Sequence, residues 1–584
     1  MIFYDFEVFK YDWLVCFMNT KTQSKDYIVN DSLKLKDFYK EHKNEIWVGY
    51  NSRTYDQYIL KAILCGFNPY EMSDWIINKK RKGFEFSKLL VNFPLLNYDC
   101  VVSYHSLKEL EGYMGHDIKE SSVPFDIDRK LTKDEIKETL KYCFHDVQET
   151  MYVFLETKAE WDSHYNLIKE FNLPMKYISK TKAQIASIIL EAKQVPRNDE
   201  FEIDFANTLN LGKYSWIKNH YENWATHAPY YENPYKKISL STKVNDVPHK
   251  FGVGGVHGAI KAYIGTGKYI MCDVGSYYPA EMIEYDWLSR NVKDKHKFKK
   301  MRDERIIMKQ KGDPRQYPRK IVLNGTFGAS KDKFNGLYDP KMANNVCING
   351  QLFLVDLMEK LDGKCQLIQS NTDGILIKLY RDEDYDKIIE ICQEWCQRTR
   401  MELDYKVYNR VFQKDVNNYI LVDEKGKLKT KGSYVKKLSN IDNQLPIVNK
   451  AIVNYFVYNI PVEKTILESD KYIDFQIIVR AGKNYDYVVK EDIDEESYGR
   501  EEFIIKEKVN RVFASKNPKH GAINKKHNTK TKTDKIGGTP EYCFIDNGNI
   551  LDKPIPDDLD KQWYIDLAKK RINEFKGIKE KKKK

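Results

Sequence analysis

Asp5 and Glu7 stand two residues apart in Ile2-Phe3-Tyr4-Asp5-Phe6-Glu7, a run otherwise made of apolar and aromatic side chains. Successive side chains of a strand point to opposite faces, so positions two apart share one. Two carboxylates on one face repel each other unless a cation sits there, although a solvent-facing edge also tolerates such a pair. Further on, Asn51-Ser52-Arg53-Thr54-Tyr55-Asp56 sets a carboxylate after an aromatic and before the apolar run Tyr58-Ile59-Leu60. Tyr142 and Asp146 are four apart, which puts a phenol and a carboxylate on one helix face. A second group follows much later. Asp273 ends an apolar run, Asp373 lies in Asn371-Thr372-Asp373-Gly374, and Asn324 is one helical turn after Lys320. Taken singly, these last have ordinary readings as a capped strand, a hairpin turn and a helix lysine.

The elements that must position these residues can be read in outline. Strands are expected at Ile2 to Phe6 and Trp13 to Met18, as neighbours. A helix begins at Thr132, with Glu135 completing a capping box, and runs past Tyr152. Texture changes after Gln194-Val195-Pro196, which suggests a boundary near 195. Phe251-Gly252-Val253-Gly254-Gly255 reads as a flexible joint. A strand runs from Tyr269 to Val274. A charged helix, Lys295 to Lys311, is interrupted at Gly312-Asp313-Pro314, and a second starts near Pro318. Asp-Gly between Gln366-Leu367-Ile368 and Ile375-Leu376-Ile377 signals a hairpin.

Composition sets limits. The 584 residues predict several domains, and 42% hydrophobic with 13% aromatic residues is too rich for a disordered chain. No apolar run approaches the roughly 18 residues of a membrane span, and the acidic N-terminus is unlike a secretion signal. The ten cysteines are scattered without a CxxC pair; Cys392 and Cys396 alone share helical spacing, so reduced thiols in a cytosolic protein are expected. A nucleotide P-loop is missing, since Tyr269 follows Gly267-Lys268 and Ala262 stands where its first glycine would be. The net charge of +11 is unevenly placed. Lys525, Lys526, Lys530, Lys532 and Lys535 crowd one segment, and the sequence ends in Lys581 to Lys584. Such runs suit a polyanion or a solvated face.

The first group resembles the three motifs of proofreading 3′–5′ exonucleases: Asp-x-Glu, Asn-x-x-x-(Phe/Tyr)-Asp and Tyr-x-x-x-Asp, in that order. The resemblance implies that Asp5, Glu7, Asp56 and Asp146 hold two Mg2+ ions, for which Mn2+ could substitute. Two such ions about 4 Å apart activate a water and stabilise the leaving oxygen of a phosphodiester. It also implies that Tyr142 orients the water and Asn51 contacts the frayed 3′ end.

The second group resembles motifs A, B and C of family B DNA polymerases: Asp-x-x-Ser-Leu-Tyr-Pro in Asp273 to Pro279, Lys-x-x-x-Asn-Ser-x-Tyr-Gly in Lys320 to Gly328, and Tyr-x-Asp-Thr-Asp in Gln369 to Asp373. The compact length is similar to phage or plasmid members. The resemblance implies an α/β and α+β multidomain chain with an N-terminal ribonuclease-H-like exonuclease domain followed by a right-hand palm, fingers and thumb. Asp273 and Asp373 would share two further Mg2+ ions. Backbone N–H groups of Val274 to Tyr277, Ser276 included, would form an anion nest. Lys320 would neutralise triphosphate charge beside Asn324. Tyr278 aligns with the steric gate against rNTPs. Of Arg302 and Arg305 on the preceding helix, Arg305 is preferred as a phosphate contact, with a solvated face as the alternative. Departures are Asn371 for the first motif C aspartate, Gln369 for its aromatic, and Gly325 and Phe327 for Ser and Tyr in motif B.

Lys429-Thr430-Lys431-Gly432-Ser433-Tyr434 resembles the Lys-x-Tyr element that holds the primer, which implicates Lys431 and Tyr434. Gly254 and Gly255 resemble a Tyr-x-Gly-Gly element that approaches the template. The domain expectation is exonuclease in 1–195, linker and palm in 196–294, fingers in 295–335, palm in 336–425, and thumb with a basic tail in 426–584. Protein-primed members carry long insertions between motifs; here Asp273 to Lys320 is 47 residues and Asn324 to Asp373 is 49. Nucleic-acid priming is therefore expected, with primer-template DNA and dNTPs as substrates and a separate helicase as partner. A monomer without membrane attachment, in the cytoplasm of a bacterial host if phage-encoded, completes the expectation. The alternatives are a 3′–5′ exonuclease with a degenerate polymerase part, and a non-catalytic DNA-binding replication accessory.

Overall fold

The structure is a computed structural model that describes residues 1–493, 500–505, 507–531 and 533–578. Lys532 and Lys581 to Lys584 lie outside the described residues. Contacts divide the chain into two units. The first comprises Met1–Lys180, Leu438–Val448 and Glu463–Asp566; the second comprises Thr181–Lys437, Asn449–Val462 and the chain from Leu567. Along the N-terminal part the first unit ends at Lys180, and 463–566 clusters with that segment.

The first unit starts with a five-stranded mixed sheet in the order β3-β2-β1-β4-β5. Its strands are β1 (Ile2–Val8), β2 (Trp13–Asn19), β3 (Lys25–Val29), β4 (Trp47–Gly49) and β5 (Asn97–Asp99). β1 pairs antiparallel with β2 and parallel with β4. Alternation along β1 does the sorting: Ile2, Tyr4, Phe6 and Val8 join one core with Trp47, Ile59 and Leu60. Phe3, on the other face, packs its ring edge-on to Phe154 of the Lys133–Glu156 helix at 5.4 Å. That helix starts as the sequence predicts, with Thr132 and Glu135 in a reciprocal capping box.

The second unit is built on a nine-stranded sheet in the order β14-β13-β12-β9-β11-β10-β8-β7-β6. These strands are β6 (Leu240–Val244), β7 (Val247–Gly252), β8 (Gly255–Ala259), β9 (Tyr263–Val274), β10 (Cys365–Asn371), β11 (Gly374–Leu379), β12 (Leu403–Asp415), β13 (Asn418–Val422) and β14 (Leu428–Lys431). The expected hairpin is β10–β11, closed by Thr372 and Asp373. The glycine-rich segment is not a joint. It is the β7–β8 hairpin turn, with Gly252 opposite Gly255, so its glycines serve a tight reversal inside the sheet. The Lys295–Gln310 and Gln316–Ser330 helices pair as expected, and the break between them is a turn with Gly312 at φ +69°. The long Pro340–Leu361 helix is buried along most of its length.

The segment 463–566 adds two small sheets to the first unit: β15 (Ile477–Arg480), β18 (Val509–Ala514) and β21 (Cys543–Ile545) form one, and β16 (Tyr485–Ile493), β17 (Arg500–Ile505), β19 (His520–His527) and β20 (Thr533–Lys535) the other. Arg511 of β18 is fully buried and donates to the carbonyls of Gly112 and His116. This cation ties the late segment to the Leu107–Met114 helix, which is why it clusters with the N-terminal sheet. All ten cysteines are free thiols, and no helix among the described residues is long and apolar enough to cross a membrane.

Candidate active sites

In the first unit, β1, the Asp56–Leu64 helix and the Lys133–Glu156 helix bring together the four carboxylates that the sequence singles out. Asp5 and Glu7 project from β1 toward the long helix, where Cys143 donates to the Asp5 carbonyl at 3.3 Å. Asp56 opens its own helix and accepts from the Phe6 amide at 3.2 Å. Asp146 accepts from Lys108 Nζ at 2.6 Å, and the same Nζ reaches Glu111 at 3.0 Å. Glu7, Asp56, Asp146, Lys108 and Glu111 are all buried.

Burial and mutual repulsion govern their protonation. Burial, then the charges of Asp56, Glu7 and Asp146, push the Asp5 carboxyl well above the usual range. Glu7 rises through burial and Asp146, against a lowering pull from Lys108. Burial takes Asp56 up to about 7. Burial alone would lower Lys108, but Asp146 and Glu111 outweigh it and hold the ammonium charged. The pocket thus gathers more carboxyl groups than its one shared lysine can keep ionised. A surplus of hard oxygen donors fits divalent cations such as Mg2+. Atoms of Asp5, Glu7 and Cys143 lie within 4.8 Å of one another, as do atoms of Glu111, His145 and Asp146.

Tyr142 lies on the same helix face as Asp146, its ring 4.7 Å from Lys108 Nζ. Burial, then Asp146, Glu7 and Asp5, raise its phenol, so it stays a neutral donor. Asn51 is exposed just before the Asp56 helix, at φ +57°, and accepts from the Thr54 hydroxyl at 2.8 Å. Sequence reasoning missed Lys108, Glu111 and Asp99. Asp99, at the end of β5, is buried and accepts from the amides of Arg53 and Val101, both at 3.1 Å. The Lys108 and Glu111 spacing of three, inside the Ser106–Glu109 capping box helix, was the available signal.

In the second unit, strand pairing places Asp273 and Asp373 side by side. Asp273, next to last in β9, lies directly across from Gly374, and the Val274 amide donates to the Asp373 carbonyl at 2.7 Å. On the other flank Asp404 of β12 stands opposite Asp273, adding a carboxylate that sequence reasoning missed. Lys429 Nζ lies 4.0 Å from Asp273 Oδ2. Burial raises Asp273, Lys429 lowers it, and Asp373 raises it. Asp273 and Asp373 together offer hard oxygen donors, but among the described residues no third His, Cys, Asp or Glu ligand atom lies close enough to complete a set of three.

The expected anion nest needs correction. The Val274 amide is spent on Asp373, and the Gly275 amide donates to the Glu402 carbonyl at 2.9 Å. Only the turn into the Tyr277–Glu284 helix keeps donors for an anion, at Ser276 and Tyr277. Ser276 sits at φ +51°, and Arg305 donates to its hydroxyl at 2.6 Å. Arg302 is instead paired with Glu284 and Asp303. The Arg305 Nε is buried without a partner, and burial lowers the guanidinium.

Lys320 and Asn324 lie on an exposed face of the Gln316–Ser330 helix, followed by Phe327. A Cβ at Gly325 or Gly328 would meet nothing within 4 Å, so this face is open. Phe327 packs on Tyr278 with ring centroids 4.2 Å apart, and the Tyr277 hydroxyl donates to the Gly350 carbonyl at 2.5 Å. Lys431 Nζ donates to Asn371 Oδ1 at 3.4 Å. Tyr434 is already engaged: its hydroxyl donates to Glu574 at 3.2 Å, and Lys414 and Arg571 cover its ring. Gly255, at φ +122°, lets the turn approach Thr372, whereas Gly254 faces open space. His257 on β8 lies 3.4 Å from the Thr372 hydroxyl, and buried Tyr419 on β13 lies beside Gln369 and Asn371; neither was anticipated.

No protein-family model and no curated protein matches the chain. Among solved structures, the chain is similar to the family B DNA polymerase of the hyperthermophilic archaeon Pyrobaculum calidifontis, with a TM-score of 0.41 and 13% identity over 98% of this chain and 75% of that one.

Proposed function

We propose that the chain is a DNA-directed DNA polymerase with a 3′–5′ proofreading exonuclease, primed by nucleic acid. The observation that carries the reading is the presence of two separate carboxylate centres, Asp5–Glu7–Asp56–Asp146 in one unit and Asp273–Asp373 in the other. The mixed β3-β2-β1-β4-β5 sheet under the first supports a ribonuclease-H-like domain. The long antiparallel sheet and the paired helices bearing Arg305 and Lys320 support a palm with fingers.

Mg2+ held by either set supplies Lewis acidity, lowering the pKa of the attacking oxygen and neutralising charge on the leaving group. The chain's own residues do the rest. In the first centre Lys108 fixes Asp146 and compensates its charge. Tyr142 offers a hydroxyl that stays protonated and can hold a water in line. In the second centre Lys320 neutralises triphosphate charge, and Arg305 with the Ser276 and Tyr277 amides binds phosphate oxygens at the start of a helix. Tyr278, braced by Phe327, forms the floor that a 2′-hydroxyl would strike. Lys431 holds Asn371 and stands ready for a primer phosphate. Asp404 restores part of the negative charge that Asn371 lacks.

Primer extension with Mg2+ and dNTPs tests the reading, using matched and mismatched 3′ ends. Extension of both, with trimming of the mismatch first, is expected. Asn371 favours one second reading, an exonuclease whose polymerase part no longer synthesises; trimming without extension would establish it.

A further inference from the structure

Four consecutive cations, Lys79-Lys80-Arg81-Lys82, follow the Pro69–Ile77 helix, and all are exposed. Four like charges in a row repel one another and favour a loose, solvated loop. The turn is instead pinned at both ends. The Arg81 amide donates to the Trp75 carbonyl at 3.0 Å, and Trp75 Nε1 donates to the Lys82 carbonyl at 3.1 Å. Arg81 lies over the Trp75 ring, and the Lys82 amide donates to Glu85 at 3.3 Å. Lys80 takes up a left-handed φ of +53°, at a cost of order 1 kcal/mol.

Its seat is specific. A Cβ at Gly83 would come within 2.4 Å of the Tyr58 ring, so only glycine lets the turn lie on that ring. Tyr58 is in the first turn of the helix that begins with Asp56 of the carboxylate cluster. Lys79 is paired with Asp74 at 2.8 Å. Among the described residues no carboxylate lies within ion-pair distance of Lys80, Arg81, Lys82 or the nearby Lys88. Phe84 completes the surface with a ring 53% exposed. A fixed row of unneutralised cations next to an exposed ring has the chemistry of a single-strand platform, where cations follow phosphates and a ring receives a base.

We propose that the Lys79–Phe84 turn guides single-stranded DNA toward the carboxylate cluster, with Lys80, Arg81 and Lys82 on successive phosphates and Phe84 stacked on a base. This rests on the exonuclease reading and names how that site takes its substrate.

Two measurements on the full chain test it. First, degradation of a dT4 and a dT20 oligonucleotide is compared for the wild type, K80A/R81A/K82A, F84A and the charge-conserving K80R/K82R. The triple variant is expected to raise KM for dT20 about tenfold with kcat unchanged, to leave dT4 unchanged, and to lower the salt slope by about 2. F84A raises the same KM by about tenfold, and K80R/K82R behaves as wild type. Second, an iododeoxyuridine-containing single strand is photocrosslinked in EDTA, where nothing is degraded, and the crosslinked peptide is mapped. A crosslink at Phe84 is expected. Unchanged KM for dT20 in the triple variant, or crosslinks only elsewhere, overturns the guide. A crosslink at Phe84 in a chain that degrades no DNA overturns the exonuclease reading and leaves the single-strand surface standing.

Discussion

Asp56 gives the first carboxylate centre a measurable pH signature. In the metal-free fold its carboxyl moves from 3.8 up to about 7, chiefly through burial. That displacement corresponds to about 4 kcal/mol of preference for the protonated form. A raised acid contributes stability that is fully present below its unfolded value and is lost as pH rises through its folded value. Asp5, Glu7 and Asp146 shift in the same direction. Metal-free protein should therefore lose stability between about pH 4 and pH 7, whereas bound Mg2+ should stabilise more as the carboxylates ionise. The assay is thermal unfolding from pH 5 to pH 8, in EDTA and in Mg2+, for wild type and Asp56→Asn. Asparagine keeps an oxygen for the Phe6 amide but cannot ionise. In EDTA at pH 8 the variant should melt about 10 °C above wild type, taking about 2–4 °C per kcal/mol, and the gap should narrow toward pH 5 and close only below about pH 4. Mg2+ should raise the wild-type Tm more at pH 8 than at pH 5, and the variant's by less than the wild type's at pH 8. Equal melting temperatures for the two proteins in EDTA at pH 8 would refute the argument, because the buried charge would then carry no penalty.

Three other outcomes are expected. Asp273→Ala or Asp373→Ala abolishes primer extension and leaves 3′–5′ degradation, and Asp5→Ala with Glu7→Ala does the reverse; loss of both activities from either change, in folded protein, would show that the centres are not independent. Lys108→Ala strands the fully buried Glu111 and Asp146 without their cation and should destabilise the first unit by about 3–5 kcal/mol, read by denaturant melts. Gly255→Ala forces a side chain into φ +122° with its Cβ 3.0 Å from Thr372, so it should cost about 1–3 kcal/mol and slow extension without changing degradation, as measured on one preparation with both substrates.

Local rules account for what the sequence made legible. The period of two set Asp5 and Glu7 on one face of β1, the Thr132–Glu135 box marked a helix end, and the Asp-Gly pair closed β10–β11. What escaped depends on pairing between distant segments. Asp404 lies opposite Asp273 only because β12 runs beside β9, and no spacing in the chain encodes that register. Lys108 meets Asp146 across 38 residues, and its own neighbourhood reads as an ordinary charged helix. The resemblance assigns 426–584 to a thumb with a basic tail, and nothing in that sequence signals that 463–566 clusters with the N-terminal segment. Charge describes a surface, while the unit to which a segment belongs is decided by what it buries, here Arg511 on the carbonyls of Gly112 and His116.

The same distinction explains why fewer amides are left for the expected anion nest than the sequence suggests. A run of amides after a strand looks like a nest as long as their acceptors are unknown. Val274 ends β9 and Gly275 follows it, and each amide already has a carbonyl at the edge of a neighbouring strand, Asp373 in the β10–β11 turn and Glu402 just before β12. The donors that remain begin where the chain leaves the sheet at the left-handed Ser276, and Arg305 is anchored at that residue. The amides left for an anion in the second unit are therefore concentrated at a strand-to-helix corner, braced by Arg305 from the Lys295–Gln310 helix. A displacement of that helix would move Arg305, Lys309 beside Asp404, and the corner together.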